Sequence, residues 1–102
     1  MDELYELLQE LNIPIAYHHF IKLTAPPFIT YFRSGTDNFY ADNKVYQKIN
    51  HFRIELYTTQ KDIELEARLE DLLDNNKFPY EVLSESYIES EKVYQLIYEI
   101  NI

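Results

Sequence analysis

The side chains able to bind a metal, carry a proton or attack an electrophile are three histidines, eighteen carboxylates and a group of serines. His18 and His19 are adjacent within a strand predicted over Ile15–Phe20. Successive strand side chains point to opposite faces, so the two are not expected to reach one ion. His51 can join one of them across strands, yet a tetrahedral site then lacks its further ligands. Ordinary surface or edge histidines are expected. Asp62, Glu66, Glu70 and Asp74 recur every four residues and stack along one helix flank. Such a ridge suits a cation or a basic partner. The plainer expectation is a solvated flank, with Asp62 capping the helix and Glu64 and Glu66 favoured by its dipole.

Catalytic templates fail in turn. Ser84, Ser86 and Ser90 lie in an acidic stretch with no neighbouring histidine to act as base. A single glycine builds neither a phosphate-cradling loop nor a dinucleotide fingerprint, and no nucleophile elbow is present. The absence of cysteine removes thiolate metal sites, disulfides and thiol nucleophiles together, and fits folding in a reducing compartment. The chain is expected not to be an enzyme, with no catalytic, metal or cofactor-binding residue.

The elements that must carry these residues can be read from periodicity. Leu4, Leu7, Leu8 and Leu11 line one face of a helix over Asp2–Leu11. Asn12 is a left-handed cap and Pro14 blocks continuation. After the strand at Ile15–Phe20, Pro26-Pro27 leads into a strand at Phe28–Phe32. A polar loop is predicted over Ser34–Asn43, then a long strand over Val45–Thr58. There Phe52, Ile54 and Leu56 share one face, and His51, Arg53, Glu55 and Tyr57 the other. A helix over Asp62–Asn75 docks by Leu65, Leu69, Leu72 and Leu73. Two strands, Tyr80–Tyr87 and Lys92–Ile100, close the chain around a turn at Glu89-Ser90-Glu91. The prediction is an α+β fold of order α-β-β-β-α-β-β, a mainly antiparallel sheet with two helices packed on one face.

Length and composition bound the rest. At 102 residues and 12.3 kDa the chain is expected to form one domain, residues 1–102, with a folded surface of about 6,100 Å². Apolar residues make up 46%, enough to fill a core. No apolar run approaches the roughly 18 residues of a membrane span, and the acidic start is unlike a signal peptide. The chain is therefore expected to be neither exported nor embedded. Its net charge of −9 lies mostly in residues 52–102, which carry −7. Without clustered Lys and Arg, stable nucleic-acid binding is not expected.

Ten tyrosines form the most informative excess. Tyrosine joins a large ring to a polar tip and suits surfaces covered by a partner. The predicted loop, too long for a minimal hairpin, concentrates the interface candidates Asp37, Asn38, Phe39, Tyr40, Asp42 and Asn43.

Several stretches together resemble small tail components of bacteriophages and prophages of Gram-positive hosts. They are Pro14–Phe20, Pro26–Ile29, Asp37-Asn38-Phe39, Ala41-Asp42-Asn43, Ile54–Thr58, Glu66 with Glu70, Tyr87–Glu91 and Tyr98-Glu99. The resemblance is to tail-completion (tail-terminator, head-to-tail joining) proteins and covers nearly the whole chain. It implies a structural protein of the virion whose copies form an oligomeric ring, usually a hexamer, that ends tail tube growth and joins the head-tail connector. The implied partners are further copies of the chain, the tail tube protein and the connector, with no cofactor. The implied location is the host cytoplasm during assembly, then the virion tail. Six copies carry −54 formal charges, which suits a duct through which DNA passes without sticking. The alternative, from another class, is a small acidic regulatory binding module, a nucleic-acid mimic or host-factor inhibitor that presents the 62–74 ridge to a basic cleft.

Overall fold

Leucines at helical spacing define the first element, and all four are buried. Helix α1 (Glu3–Leu8) tightens into a 3-10 turn at Gln9–Leu11. Asn12 ends it in the left-handed region (φ 57°, ψ 36°), its N–H bonding back to the Gln9 carbonyl at 3.1 Å. The computed structural model describes residues 3–41 and 44–102, and of residues 38–41 and 44–48 it describes the backbone alone.

Five strands and a second helix follow: β1 (Ile15–Tyr17), β2 (Phe28–Ala41), β3 (Lys44–Thr58), α2 (Ile63–Asn75), β4 (Tyr80–Ile88) and β5 (Val93–Asn101). The fold is α+β, in the expected order. Asp62 caps α2, its carboxylate accepting the Leu65 N–H at 3.0 Å. The sheet runs β1-β2-β3-β5-β4. β1 pairs with β2 in parallel and the other three pairings are antiparallel, so the sheet is mixed. Among the described residues no helix is long and apolar enough to cross a membrane.

Both helices cover one face of the sheet. Ile29 and Tyr31 of β2, Ile54 and Leu56 of β3, and Leu96, Tyr98 and Ile100 of β5 are buried there with Leu4, Leu7, Leu8, Leu11, Leu65, Leu69 and Leu73. Leu72 and Phe52 pack at the margin of this cluster. The alternation along β3 holds, with Arg53 exposed and His51, Glu55 and Tyr57 half-buried on the helix-free side. Fully burying each leucine stabilises the fold by about 1.5–3 kcal/mol, so the stripes set the helix positions.

Two strand boundaries differ from expectation. β1 stops at Tyr17 because His18 takes a positive φ of 71°, which turns the chain out of the sheet. β2 runs on to Ala41, where a loop over Ser34–Asn43 was expected. Ser34, Gly35, Asp37 and Asn38 are poor strand formers, but β3 offers a continuous partner, and pairing outweighs intrinsic preference. Ser34 is absorbed as a bulge between Arg33↔Phe52 and Gly35↔His51. Gly35 has no positive φ, and a Cβ there meets open space, so it does not mark a turn.

Candidate functional site

The lengthened β2 and β3 build a feature absent from the expected fold. They stay paired from Phe28↔Tyr57 to Ala41↔Lys44. β5 accompanies β3 only as far as His51↔Asn101, and Asn50 and Ile102 then exchange two backbone hydrogen bonds of 2.8 and 2.9 Å. β1 covers β2 only at Ile29–Tyr31. From Thr36 to Ala41 and from Lys44 to Ile49, the strands pair, among the described residues, only with each other. This two-stranded arm extends the molecule to 51 × 28 × 26 Å, with a radius of gyration of 15.0 Å. About 13 Å is usual for a compact domain of this length. Of the six interface candidates, Asp37, Asn38, Phe39 and Tyr40 lie on the β2 strand of the arm, paired with Ile49, Lys48, Gln47 and Val45. Asp42 and Asn43 lie outside the described residues.

At the arm's root one histidine ties three strands together. The His51 ring sits between two acceptors, with Nε2 2.8 Å from Asp37 Oδ2 and Nδ1 bonded to Asn101 Oδ1. Ser34, at the bulge, donates its hydroxyl to the His51 carbonyl at 3.2 Å and lies 3.4 Å from the Glu99 carboxylate. Ser34, His51 and Asp37 are the residue types of a nucleophile, a base and its orienter. Their arrangement differs from a triad: Asp37 holds one ring nitrogen, but the other is held by Asn101 and not by Ser34, whose hydroxyl addresses a main-chain carbonyl.

Two acceptors favour the doubly protonated ring. The Asp37 hydrogen bond, followed by that of Asn101 and the charges of Asp37 and Glu99, holds the His51 pKa above 6.5. The folded value therefore exceeds the unfolded one. Its contribution to stability is complete below pH 6.5 and is lost as pH rises through the folded value. Proton NMR titration of His51 should give a midpoint above 6.5, returning toward it in Asp37→Asn. An identical midpoint in both proteins would show that the contact does not persist in solution.

His18 and His19 are brought together, against the expectation of opposite faces. With His18 at positive φ, their Nδ1 atoms lie 3.2 Å apart and the rings meet edge to face at 5.4 Å. His51 does not join them. Among the described residues, no group of three or more histidine, cysteine or carboxylate side chains is placed to hold a metal. The chain after His18 borders an open groove of about 640 Å³ on the helix-free face, lined in part by Lys22, Thr30, Glu55, Tyr57 and Glu91. Thr30, Glu55 and Tyr57 among them have partners. Thr30 donates to Glu55 at 3.0 Å, Gln95 donates to the Tyr57 hydroxyl at 2.8 Å, and Tyr57 stacks on Phe28 at 4.8 Å.

The carboxylate flank of α2 is drawn into the fold. Asp62 caps the helix, and Glu66 takes Lys61 at 2.8 Å. Glu70 accepts from Tyr98 at 2.7 Å and from Tyr80 at 3.4 Å. Asp74 is exposed. Tyrosine is likewise divided: Tyr31 and Tyr98 are core residues, whereas Tyr17 and Tyr87 are half exposed.

Charge separates along the fold more sharply than along the halves of the chain. Residues 12–53, which include β1, β2 and most of β3, carry five Lys/Arg and two Asp/Glu, net +3. Residues 54–102 carry net −8. The acidic part includes β4, an outer strand of the sheet, where Val82, Leu83 and Tyr87 are 52%, 41% and 50% exposed. Compared with known proteins, the chain matches no family model and no curated sequence.

Proposed function

We propose that this protein is a structural assembly subunit of the tail-completion type. Copies join into a ring, of six in the reading the resemblance implies, that ends the tail tube and meets the head-tail connector. Assembly takes place in the host cytoplasm, and the ring then belongs to the virion tail. The observation that carries this reading is the arm. An isolated two-stranded ribbon is marginal in water, so a sequence that extends one beyond its own sheet has a use for it outside the monomer. Phe39 and Tyr40 on that arm are the aromatic types that anchor protein contacts. No cofactor enters the role. The rival reading, an acidic module presenting the 62–74 ridge, draws less support because Asp62, Glu66 and Glu70 have partners within the fold.

The test uses a prophage-bearing host lacking this chain, complemented with the protein or its variants. Without the protein, electron microscopy should show tails detached from capsids. Phe39→Ser/Tyr40→Ser should leave the thermal midpoint unchanged while failing to restore infectious particles. Normal particles in the deletion strain would reject the tail role. A stable double variant that restores infectivity would reject the arm as the contact.

A further inference from the structure

We propose that the arm of one copy docks along the outer edge of β4 of the next, extending the sheet from subunit to subunit. The inference rests on the reading of the chain as an assembly subunit, and identifies the surface that receives the arm.

Three observations carry it. The first is area. The chain exposes 7001 Å², against about 6,100 Å² for a monomer of its mass, an excess of roughly 900 Å². That excess accords with the elongated 51 × 28 × 26 Å shape that the projecting arm gives the chain.

The second is the state of the β4 edge. β4 is nine residues long and lies at the margin of the sheet, leaving a row of main-chain groups unpaired. Outer strands are usually protected by charged residues, proline or bulges. Residues 80–88 contain no lysine or proline, and their charges are Glu81 and Glu85, the latter paired with Lys61. One bulge, at Leu83, interrupts the pairing with β5. Beyond it Ser84–Ile88 form a regular edge, with Val82, Leu83 and Tyr87 exposed around it. Strand addition to such an edge draws affinity from main-chain hydrogen bonds and selectivity from the side chains on either side.

The third is charge, which selects the occupant. Residues 78–91 hold four glutamates and no Lys or Arg, so two β4 edges repel each other. Residues 36–49, which span the arm, hold Lys44 and Lys48 against Asp37 and Asp42, and Asp37 is engaged by His51 at the arm's root. The arm of a second copy therefore meets β4 without the repulsion that two edges face, and offers Lys44 and Lys48 to its glutamates. Donor and acceptor are different surfaces, so the contact is heterologous. It leaves one arm and one edge free after each addition, and closes as a ring or continues as a filament.

Sedimentation velocity with light scattering on the full chain tests this through two variants. Lys44→Glu/Lys48→Glu alters the arm. Glu81→Lys/Leu83→Lys alters the edge and spares Glu85, which is paired with Lys61. Wild type should self-associate with concentration, at least about tenfold more weakly in high than in low salt. Each variant alone should stay monomeric with an unchanged melting midpoint. Mixed, they should assemble again, because the intact arm of one meets the intact edge of the other and the reversed arm now faces a reversed edge. Since the natural chain has no cysteine, Lys48→Cys/Glu81→Cys gives a second measurement that removes one charge from each surface and reverses none. Mild oxidation should convert that chain to a ladder of covalent multimers, whereas Lys48→Cys or Glu81→Cys alone should not pass dimer. Wild type that assembles while both variants assemble equally well would overturn the arm-to-edge contact and leave the ring reading standing. Wild type that remains monomeric and forms no ladder would overturn the contact outright, and the particle experiment then judges the tail role separately.

Discussion

Leu69→Ala is expected to lower the unfolding free energy by about 2–5 kcal/mol. Leu69 has no exposed surface and lies between Leu65 and Leu73 on the single stripe by which α2 meets the sheet. Of the helix's other apolar residues, Ile63 is exposed, Ala67 is small and Leu72 lies at the margin of the cluster, so no second apolar face can take over. Truncation removes the transfer energy of the side chain and leaves a cavity among residues held by β3 and β5, which cannot collapse into it. A domain of this size is usually stable by about 5–15 kcal/mol, so the loss is a large share of the total. The thermal midpoint should fall by roughly 10 °C or more. Ile63, on the same helix but 70% exposed, provides the control, and its change to alanine should stay within about 0.5 kcal/mol. Urea denaturation of both variants is the measurement. A Leu69→Ala protein indistinguishable from wild type would mean that α2 is not docked as described.

That stripe was legible in the sequence because helix burial leaves a local mark at three- and four-residue spacing. The alternation of Phe52, Ile54 and Leu56 with Arg53, Glu55 and Tyr57 was legible for the same reason, at period two. What escaped was set by partners distant in the chain. Nothing between Ser34 and Ala41 reads as a strand, because the pairing that makes it one belongs to residues 44–52. The parallel register of β1 on β2 leaves no trace either, since alternation reports faces and is silent on direction. The His18–His19 contact depends on one positive φ at a residue whose type does not announce it. The Asp37–His51–Asn101 link joins positions 14 and 50 residues apart, with no spacing rule to connect them. Of the six interface candidates, four were brought onto one projecting strand for a reason the sequence reading did not contain. The chain is long there because it forms an arm.

Tyr98 and Glu70 should show a coupling of about 1–2 kcal/mol in a double-mutant cycle. Tyr98 is fully buried at the centre of β5, and its hydroxyl leaves the apolar cluster only through the 2.7 Å bond to Glu70 Oε2. Burial, then the hydrogen bond to Glu70 and that residue's negative charge, push the Tyr98 pKa far above 10. The neutral phenol is therefore the form the fold requires. Tyr98→Phe removes the donor but leaves Glu70 with Tyr80, and should cost about 1–2 kcal/mol. Glu70→Leu removes the acceptor and strands a buried hydroxyl, and should cost more, about 2–3 kcal/mol. In the Tyr98→Phe background the same Glu70→Leu change strands nothing and should become much cheaper. The pH dependence has a definite sign. With the folded pKa above the unfolded value of 10, the Tyr98 contribution is complete below pH 10 and falls as pH rises beyond it. Wild type should accordingly lose stability between pH 10 and 11 more steeply than Tyr98→Phe. Additive single variants with parallel pH curves would show that the hydroxyl and the carboxylate act independently, and that the outer flank of α2 is tied to the sheet by leucine packing alone.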